Sequence, residues 1–289
     1  MDELAAPHPR AALDLALLAR ALERCGWTGP SPQYVARTGS TNADLVAALH
    51  SPEPLPEGSV IVTDEQYAGR GRLDRSWEVP PRAAVTWSMV LRPGSMADRQ
   101  WGWLPLVIGL GVLDGVRDVM SRSNGADRVA LKWPNDVVVD RSAREGSAGP
   151  RKLGGILVER VPLGPGQSPV VVAGVGLNVD QDAAELPTPV ATSLRLEGFE
   201  VAREVVLAAA MSSVIRRVQQ WRSQEWALDA LRREYSRECL SLGSQVRVVR
   251  LAQPDFIGTG SAVDAEGRFV VSGAAGDLTV SAGDVVHLR

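Results

Sequence analysis

The stretch VALKWPNDVVV, residues 129–139, consists of two apolar, strand-like runs separated by Pro134 and Asn135. Proline fixes its own backbone angle and asparagine can hydrogen-bond a turn backbone, so the stretch predicts two strands joined by a short turn. Lys132 ends the first run, where its ammonium group would be held at one point beside the turn. Asp136 opens the second run, where it could bond the turn backbone or pair with Lys132 and do nothing more.

Lysine is rare in this chain. Only two of the 31 basic residues are lysines, Lys132 and Lys152, and the other 29 are arginines. A compact ammonium group and a planar guanidinium are not interchangeable where a rotatable point charge is needed. The two lysines are therefore candidates for function, although composition alone explains their positions equally well by chance.

The remaining pattern predicts an α+β fold with a mixed or antiparallel sheet packed with helices, followed by a small C-terminal β-barrel. Helical spacing or apolar length predicts helices at 11–25, 43–50, 100–120 and 203–239. Further strands are predicted at 34–38, 60–62, 84–91, 155–161 and 170–177. The predicted domains are residues 1–240 and 241–289, and the Ser/Gly/Arg-rich segment 141–151 is predicted to be a loop or insertion.

Composition excludes several classes of protein. The net charge of −3 provides no general basic field for nucleic acid. Cys25 and Cys239 form no metal-like spacing and suit a reducing cytosol, so a cytoplasmic location is expected. The apolar stretch 103–116 is interrupted and short, which predicts a buried helix rather than a membrane span. The acidic N-terminus lacks a signal-peptide pattern, and three scattered histidines argue against a zinc site.

The segment QYAGRGRLDRSW, residues 66–77, concentrates glycine and arginine between two predicted strands. Glycine lets a backbone approach a phosphate closely, and arginine neutralises it with paired hydrogen bonds, which favours an anion-binding loop. The segment is not a P-loop, because no Gly-Lys-Ser/Thr follows. A solvated surface loop or an RGG-like contact to nucleic acid remains open.

Two further glycine-containing segments and a set of tryptophans have more than one interpretation. GVGLNV, residues 174–179, places two glycines in a strand, which predicts close approach of a ligand or backbone, or alternatively a bulge. GLGVLDG, residues 109–115, misses the dinucleotide-binding spacing by one residue and is discarded as such a site. Five tryptophans could wall an apolar pocket or pack separately in the core; they are Trp77, Trp87, Trp101, Trp103 and Trp133.

Five motifs, taken in order, resemble those of the biotin protein ligases. They are Ser40-Thr41-Asn42, Gln66 with Gly69-Arg70-Gly71-Arg72 and Trp77, Lys132 to Asp136, Lys152 to Leu157, and Gly174 to Val179. The resemblance covers roughly residues 34–289. Since no DNA-binding segment is recognised before it, the chain looks like the monofunctional, non-repressor class.

The resemblance implies an ATP-dependent ligase with a catalytic biotin- and ATP-binding domain over residues 1–240. Such an enzyme converts biotin and ATP to biotinyl-5′-AMP and pyrophosphate, and then transfers biotin to a lysine of a biotin carboxyl carrier protein domain of acyl-CoA carboxylases. Magnesium is expected to arrive with the ATP phosphates rather than in a protein cage. No nucleic-acid or membrane partner is expected, and the expected assembly is a monomer or weak dimer.

The resemblance also implies roles for individual residues. Lys132, Arg70 and Arg72 are expected to be catalytic. The expected biotin-binding residues are Ser40, Thr41, Asn42, Gln66, Gly69, Arg70, Gly71, Arg72, Lys132, Gly155, Gly174 and Gly176. The expected ATP-binding residues are Arg70, Arg72, Trp77, Lys132, Asn135, Lys152 and Asn178, and none is expected to ligate a metal. One departure is Asp74, where the family usually has glycine.

Three rival functions remain. A lipoate protein ligase would share the fold and the adenylation chemistry, although the Gly-Arg-Gly-Arg loop and the Lys132 turn argue for biotin. A biotin sensor or repressor would need a DNA-binding domain. A nucleic-acid binder that uses the Gly/Arg loop would need a basic face and a steep dependence on salt.

Overall fold

Two sheets organise the molecule in the computed structural model, which describes residues 10–94, 96–121, 125–141, 149–250, 253–281 and 283–288. The larger sheet has seven strands: β1 (Gln33–Thr38), β2 (Val60–Gln66), β3 (Ala84–Leu91), β4 (Val129–Lys132), β5 (Asp136–Val139), β6 (Arg151–Val161) and β7 (Val170–Asn178). Their spatial order is β1-β2-β3-β7-β6-β5-β4. The β1–β2 pair is parallel and the other neighbours are antiparallel, which confirms the predicted mixed sheet.

Helices pack on this sheet over two apolar clusters, a large one and a smaller one that includes Leu45. They are α1 (Leu15–Arg24), α2 (Thr41–Leu49), α3 (Leu104–Met120), α4 (Arg203–Ser223) and α5 (Asp229–Glu238). The carboxylate of Asp14 accepts hydrogen bonds from two N–H groups of the first turn of α1, so this side chain fixes where the helix begins. Ser40 similarly caps α2, at 3.5 Å from the Ala43 nitrogen.

The glycines of the discarded dinucleotide-like segment bring α3 against α4. A Cβ atom added at Gly111 would lie 2.6 Å from the Cα atom of Val214. One added at Gly115 would lie equally close, 2.6 Å, to the Cα atom of Ala210. The two helix backbones therefore approach more closely than side chains at these positions would allow, which explains this glycine spacing as packing.

Two predicted helical regions differ in detail from the observed ones. Residues 98–103 form a 3₁₀ turn, and the α-helix starts only at Leu104, with Pro105 in its first turn, where a missing N–H costs nothing. The region 203–239 is two helices. Glu225 and Trp226 take left-handed backbone angles, φ 52° and 60°, which interrupt the α-helix. The Trp226 ring then packs edge-on against Trp221 at 5.0 Å.

The C-terminal region forms a second, antiparallel sheet of five strands. They are β8 (Gln245–Val249), β9 (Phe256–Val263), β10 (Phe269–Gly273), β11 (Gly276–Val280) and β12 (Asp284–His287). Their order is β11-β10-β9-β8-β12. The β structure predicted for the C-terminal region is thus confirmed, while closure into a barrel and the domain boundary at 240/241 stay predictions.

Two other expectations concern the surface. Most of the predicted loop at 141–151 lies outside the described residues, and Arg151 already belongs to β6. Among the helices that the structure describes, none is long and apolar enough to cross a membrane.

Candidate functional site

A pocket opens where β6 and β7 carry their glycines, under the loop 66–77 and beside the turn after β4. The C-terminal sheet contributes Gly283 and Val285 to its wall. Fourteen of the predicted site residues line it: Ser40, Thr41, Asn42, Gln66, Arg70, Gly71, Arg72, Trp77, Lys132, Asn135, Lys152, Gly155, Gly174 and Gly176. Motifs that are distant in the sequence therefore meet at one place.

Two predicted site residues do not line the pocket. Gly69 lies in the adjoining loop, where an added Cβ would come 2.3 Å from the carbonyl oxygen of Trp77. Asn178 is buried at the end of β7, where its Nδ2 donates to the Thr192 carbonyl at 2.9 Å and its Oδ1 accepts from Gln181 at 2.8 Å. The Asn178 amide thus anchors the segment after the sheet, and a role toward ATP stays a prediction.

One end of the pocket is a polar cluster at the start of α2. The Gln66 Oε1 atom accepts from the backbone N–H of Thr41 at 2.8 Å. The Thr41 hydroxyl lies 2.6 Å from the hydroxyl of Ser88, which in turn donates to Asn42 at 2.5 Å. The Asn42 Nδ2 atom donates to Glu159 at 2.7 Å. Thr41, Asn42 and Gln66 were predicted from the sequence, and each is held here by hydrogen bonds within the protein.

Sequence reasoning missed Ser88 and Glu159. Ser88 lies in the mostly apolar strand β3, and Glu159 directly follows the apolar run 156–158 of β6. A polar group in an otherwise buried strand was the available signal, since such a group needs a partner. Arg70 of the loop supplies one partner, because its Nη2 lies 2.8 Å from a Glu159 carboxylate oxygen.

The other end of the pocket is cationic. Lys132 and Asp136 face each other across β4 and β5, and the Lys132 Nζ atom lies 3.9 Å from one oxygen of Asp136. The Lys152 Nζ atom lies 2.6 Å from the other oxygen. The only two lysines of the chain thus meet at one carboxylate, and Lys152 holds it more tightly. The ammonium group of Lys132 is the more loosely paired of the two and is available to an anionic ligand.

The turn after β4 is fixed by hydrogen bonds of Asn135. Its Nδ2 donates to the Ile156 carbonyl at 2.8 Å, and its Oδ1 accepts from Arg72 at 3.2 Å. This amide therefore joins the turn, the neighbouring strand β6 and the Gly/Arg loop. Asn135 thus stabilises the turn, and Lys132, at the end of β4, lines the pocket beside it.

The strand glycines admit side chains of the pocket itself. A Cβ at Gly176 would lie 2.4 Å from the Trp77 ring, and one at Gly174 would lie 2.2 Å from the Asn42 Oδ1 atom. Trp77 consequently packs against Gly176 of the sheet, with the Lys152 Nζ atom 5.9 Å from its ring centre. Its indole N–H is buried and has no hydrogen-bond partner among the described residues. The close approach predicted for these glycines is thus made by protein side chains.

The Gly/Arg loop adopts an unusual conformation at its tip. Leu73 and Asp74 both have φ of 56°, a left-handed angle that favours glycine and that aspartate tolerates better than most residues. The loop is closed by a hydrogen bond from the Gly71 nitrogen to the Arg75 carbonyl, 2.7 Å long. The departure from the family at Asp74 is therefore compatible with a compact loop.

The five tryptophans divide between pocket and core. Trp77, Trp87 and Trp133 line the pocket. Trp103 is fully buried and meets Tyr235 edge-on at 6.0 Å, while Trp101 packs under the Arg160 guanidinium at 4.3 Å. The predicted aromatic wall thus consists of three of the five.

The C-terminal sheet supports the pocket from behind the turn. Trp133 stacks on Phe269 with ring centres 5.3 Å apart, and its backbone N–H donates to the Ser241 hydroxyl at 3.2 Å. This hydroxyl lies 3.0 Å from the Nε2 atom of His287. Burial, together with the positive charge of Lys132, lowers the pKa of His287 to about 4. The imidazole is therefore neutral at pH 7 and can accept a hydrogen bond from Ser241.

These features define a pocket that offers positive charge and hydrogen-bonding groups to a ligand with anionic and polar parts. Residues 34–178, half of the chain, match the model of the biotin/lipoate A/B protein ligase family. The chain belongs to this family.

Its similarity to particular relatives narrows the class. The chain is 39% identical over 256 residues to the biotin–[acetyl-CoA-carboxylase] ligase of Mycobacterium tuberculosis, with 88% of each chain covered. It is 30% identical to the enzyme of the same name from Paracoccus denitrificans, covering 87% of this chain and 98% of the relative. The fold matches the Aquifex aeolicus biotin protein ligase, solved in complex with biotin and ATP, with TM-score 0.69, 22% identity, and 89% and 98% coverage.

Proposed function

We propose that this chain is a biotin protein ligase, which activates biotin with ATP and attaches it to a lysine of a biotin carboxyl carrier protein domain. The observation that carries the proposal is one pocket lined by both lysines and by three arginines, with a hydrogen-bonding cluster at one end. Two anions, a carboxylate and a nucleotide phosphate, must meet for adenylation. A cationic, preorganised site lowers their repulsion and stabilises the charge of the transition state.

The first step joins biotin to the nucleotide. A carboxylate oxygen of biotin attacks the α-phosphorus of ATP, the bond to the bridging oxygen breaks, and pyrophosphate leaves with the electron pair. In this proposal Lys132 bridges the biotin carboxylate and the α-phosphate, while Arg70 and Arg72 hold the phosphates from the loop. Trp77, Asn135, Lys152 and Asn178 belong to the nucleotide side.

The second step transfers biotin to the acceptor. The neutral ε-amine of a carrier lysine attacks the carbonyl of biotinyl-5′-AMP, AMP leaves, and the amide nitrogen loses its proton to water or buffer. The loop 66–77 covers the pocket and limits the access of water to the hydrolysable anhydride. Its arginines therefore serve both binding and protection.

Several further assignments rest on the relatives and on general chemistry. The names of the relatives favour biotin over lipoate and a carboxylase carrier domain as acceptor. Magnesium would bind the ATP phosphates, as is usual for this ion. In the described ranges, no group of three or more His, Cys, Asp or Glu side chains is arranged to hold a metal. Cytoplasmic location, monomer or weak dimer, and absence of nucleic acid stay predictions.

Biotin-dependent exchange of labelled pyrophosphate into ATP tests the proposal without knowledge of the carrier. Exchange is expected with biotin and magnesium, and at most a trace with lipoate, because the polar cluster of the pocket matches a cyclic urea better than a dithiolane ring. Exchange driven equally by lipoate would favour the alternative member of the family. No exchange with either acid would overturn adenylation.

A further inference from the structure

A continuous chain of hydrogen bonds runs from the loop through the polar end of the pocket. It passes from Arg70 through Glu159, Asn42 and Ser88 to Thr41. We propose that Ser88 and Glu159 are positioning residues that fix the hydrogen-bond polarity of Thr41, so that its hydroxyl accepts from the ligand rather than donates. This inference rests on the proposed function and adds to it the origin of ligand selectivity.

The direction of the chain is set at Glu159. A carboxylate only accepts, and one oxygen of Glu159 receives both the Arg70 Nη2 atom at 2.8 Å and the Asn42 Nδ2 atom at 2.7 Å. The Leu157 carbonyl, 3.4 Å from the same Nδ2 atom, also requires a donor. The Asn42 amide therefore cannot be reversed without placing two acceptors against its oxygen.

The fixed amide determines the role of Ser88. The Asn42 Oδ1 atom must accept, and Ser88 donates its single hydroxyl proton to it at 2.5 Å. Ser88 is fully buried, so no solvent molecule offers an alternative arrangement. Its oxygen can then only accept from Thr41, 2.6 Å away.

Thr41 consequently has no proton left for the pocket. Its other neighbour, the Gln66 Oε1 atom, accepts from the Thr41 backbone N–H at 2.8 Å and is a second acceptor for the hydroxyl at 3.1 Å, so the single hydroxyl proton stays within the protein in either case. The Thr41 hydroxyl therefore presents only lone pairs to a ligand. Such a site accepts from an N–H group, as in a cyclic urea, and repels an oxygen at the same position.

The same carboxylate also positions the loop. Glu159 holds Arg70 and orients Asn42 through one oxygen atom, and its side chain is partly exposed while Ser88 is not. The seating of the Gly/Arg loop and the polarity of the ligand-binding end are thus linked. Removal of Glu159 should weaken both.

The test compares biotin with two cyclic carbamate analogues, in each of which one ureido N–H is replaced by a ring oxygen. Calorimetric Kd values for the wild-type chain should favour biotin over at least one analogue by roughly 10–100-fold, the effect of one buried polar mismatch. In Ser88→Ala the Thr41 hydroxyl loses its nearer acceptor at 2.6 Å and keeps only the longer contact to Gln66 at 3.1 Å, so it can rotate and donate to the ring oxygen. We expect the ratio of the analogue Kd to the biotin Kd to fall by about tenfold.

A matched control is Ser212→Ala on α4, another buried serine, whose hydroxyl has no partner among the described residues. It should leave the ratio unchanged. A ratio in Ser88→Ala equal to that of the wild type would overturn the role of Ser88.

If Ser88→Ala does not fold, a second variant tests the same hydrogen-bond chain. Glu159→Ala changes a partly exposed side chain, and it should lower the same ratio and raise the KM for biotin, because the Asn42 amide and Arg70 are both released. Glu53→Ala, an exposed residue remote from the pocket, is its control. Wild-type ratios in Glu159→Ala would refute the proposal, whereas a wild-type chain that binds no biotin at all would refute the proposed function.

Discussion

Lys132 and Lys152 illustrate what single residues do in this molecule. They come from different strands, and both ammonium groups lie beside Asp136, at 3.9 and 2.6 Å. The carboxylate keeps two like charges close together at the pocket wall. An arginine could carry the same charge at either position but not in the same compact space.

Lys132→Arg tests the need for an ammonium group. The planar guanidinium is longer and cannot place one charge between a carboxylate and a phosphate, so biotin-dependent pyrophosphate release should fall by roughly 100-fold, the usual effect of one lost electrostatic contact in a transition state. Arg232→Lys on α5 is a charge-conserving exchange away from the pocket and should have no effect. Rates like those of the wild type would remove Lys132 from the chemistry.

Gly176→Ala tests the packing of Trp77. The new methyl group would lie 2.4 Å from the indole, which must move off the sheet. We expect the KM for ATP to rise by roughly fivefold, since a displaced aromatic contact is worth about 1 kcal/mol. Gly39→Ala is the matched control, because its methyl group would meet Tyr67 at an ordinary 3.6 Å. Equal KM values for both variants would contradict the role assigned to Trp77.

The sequence predicted most residues of the pocket but not their mutual support. Lys132, Arg70 and Thr41 stand out by residue type within motifs. Ser88 and Glu159 lie next to apolar runs of their strands, and their partners come from distant segments. Such contacts depend on which strands become neighbours, and the local pattern does not contain that information.

At the scale of elements, helix α3 shows how glycine spacing can mislead. Its glycines resemble a phosphate-binding pattern, yet Gly111 and Gly115 allow the close contact with α4. The sequence predicted the helix from its apolar length. The identity of the helix packed against it could not be predicted, because the small residues of α4 lie far away in the chain.

Gly111→Ala should destabilise this contact. Its methyl group would lie 2.6 Å from the Cα atom of Val214, a backbone atom that cannot rotate away. We expect a loss of about 1–3 kcal/mol in the free energy of unfolding, as is typical of overpacked cores.

Gly109→Ala on the same helix is the control for this change. Its methyl group would meet the side chains of Leu131 at 3.5 Å and Ile156 at 3.6 Å, which are ordinary contacts, so the gain in helix propensity should leave stability equal or higher. Urea unfolding of the two variants gives the comparison. Equal stability of Gly111→Ala and the wild type would show that the helices separate freely.

The break between α4 and α5 also depends on a packing contact. Glu225 and Trp226 take left-handed angles without glycine, and no local pattern in the sequence marks them. The packing of Trp226 against Trp221 accompanies this backbone conformation. A contact between the two ends of a turn thus accounts for a break that helical periodicity alone missed.

At the scale of the whole molecule, the C-terminal sheet and the seven-stranded sheet meet at the pocket turn. Trp133 stacks on Phe269 and binds Ser241, which lies against His287. The small sheet therefore supports the turn that carries Lys132. The sequence predicted the small sheet, but not that it would buttress this turn.

His287 makes this junction sensitive to pH. Its pKa is about 4 in the folded chain, against an ordinary value of 6.5, so the unfolded chain binds the proton more readily between these values. The stability associated with neutral His287 is fully present above pH 6.5 and is lost as the pH falls toward 4.

His287→Gln should reduce this loss of stability, since glutamine does not titrate. The measurement is the free energy of unfolding in urea at pH 7 and pH 5, with His50→Gln as the control at an exposed histidine. If His287→Gln and the wild type lose the same stability between the two pH values, His287 does not govern the junction.

The transfer of biotin itself tests the central claim most directly. The purified chain is mixed with ATP, magnesium, biotin and a biotin carboxyl carrier domain, and the intact mass of the carrier is followed. We predict that each carrier gains one biotinyl group. This gain should not occur when ATP or biotin is omitted or when the acceptor lysine is replaced by arginine. An unchanged carrier mass with the folded wild-type chain and all components present would contradict it.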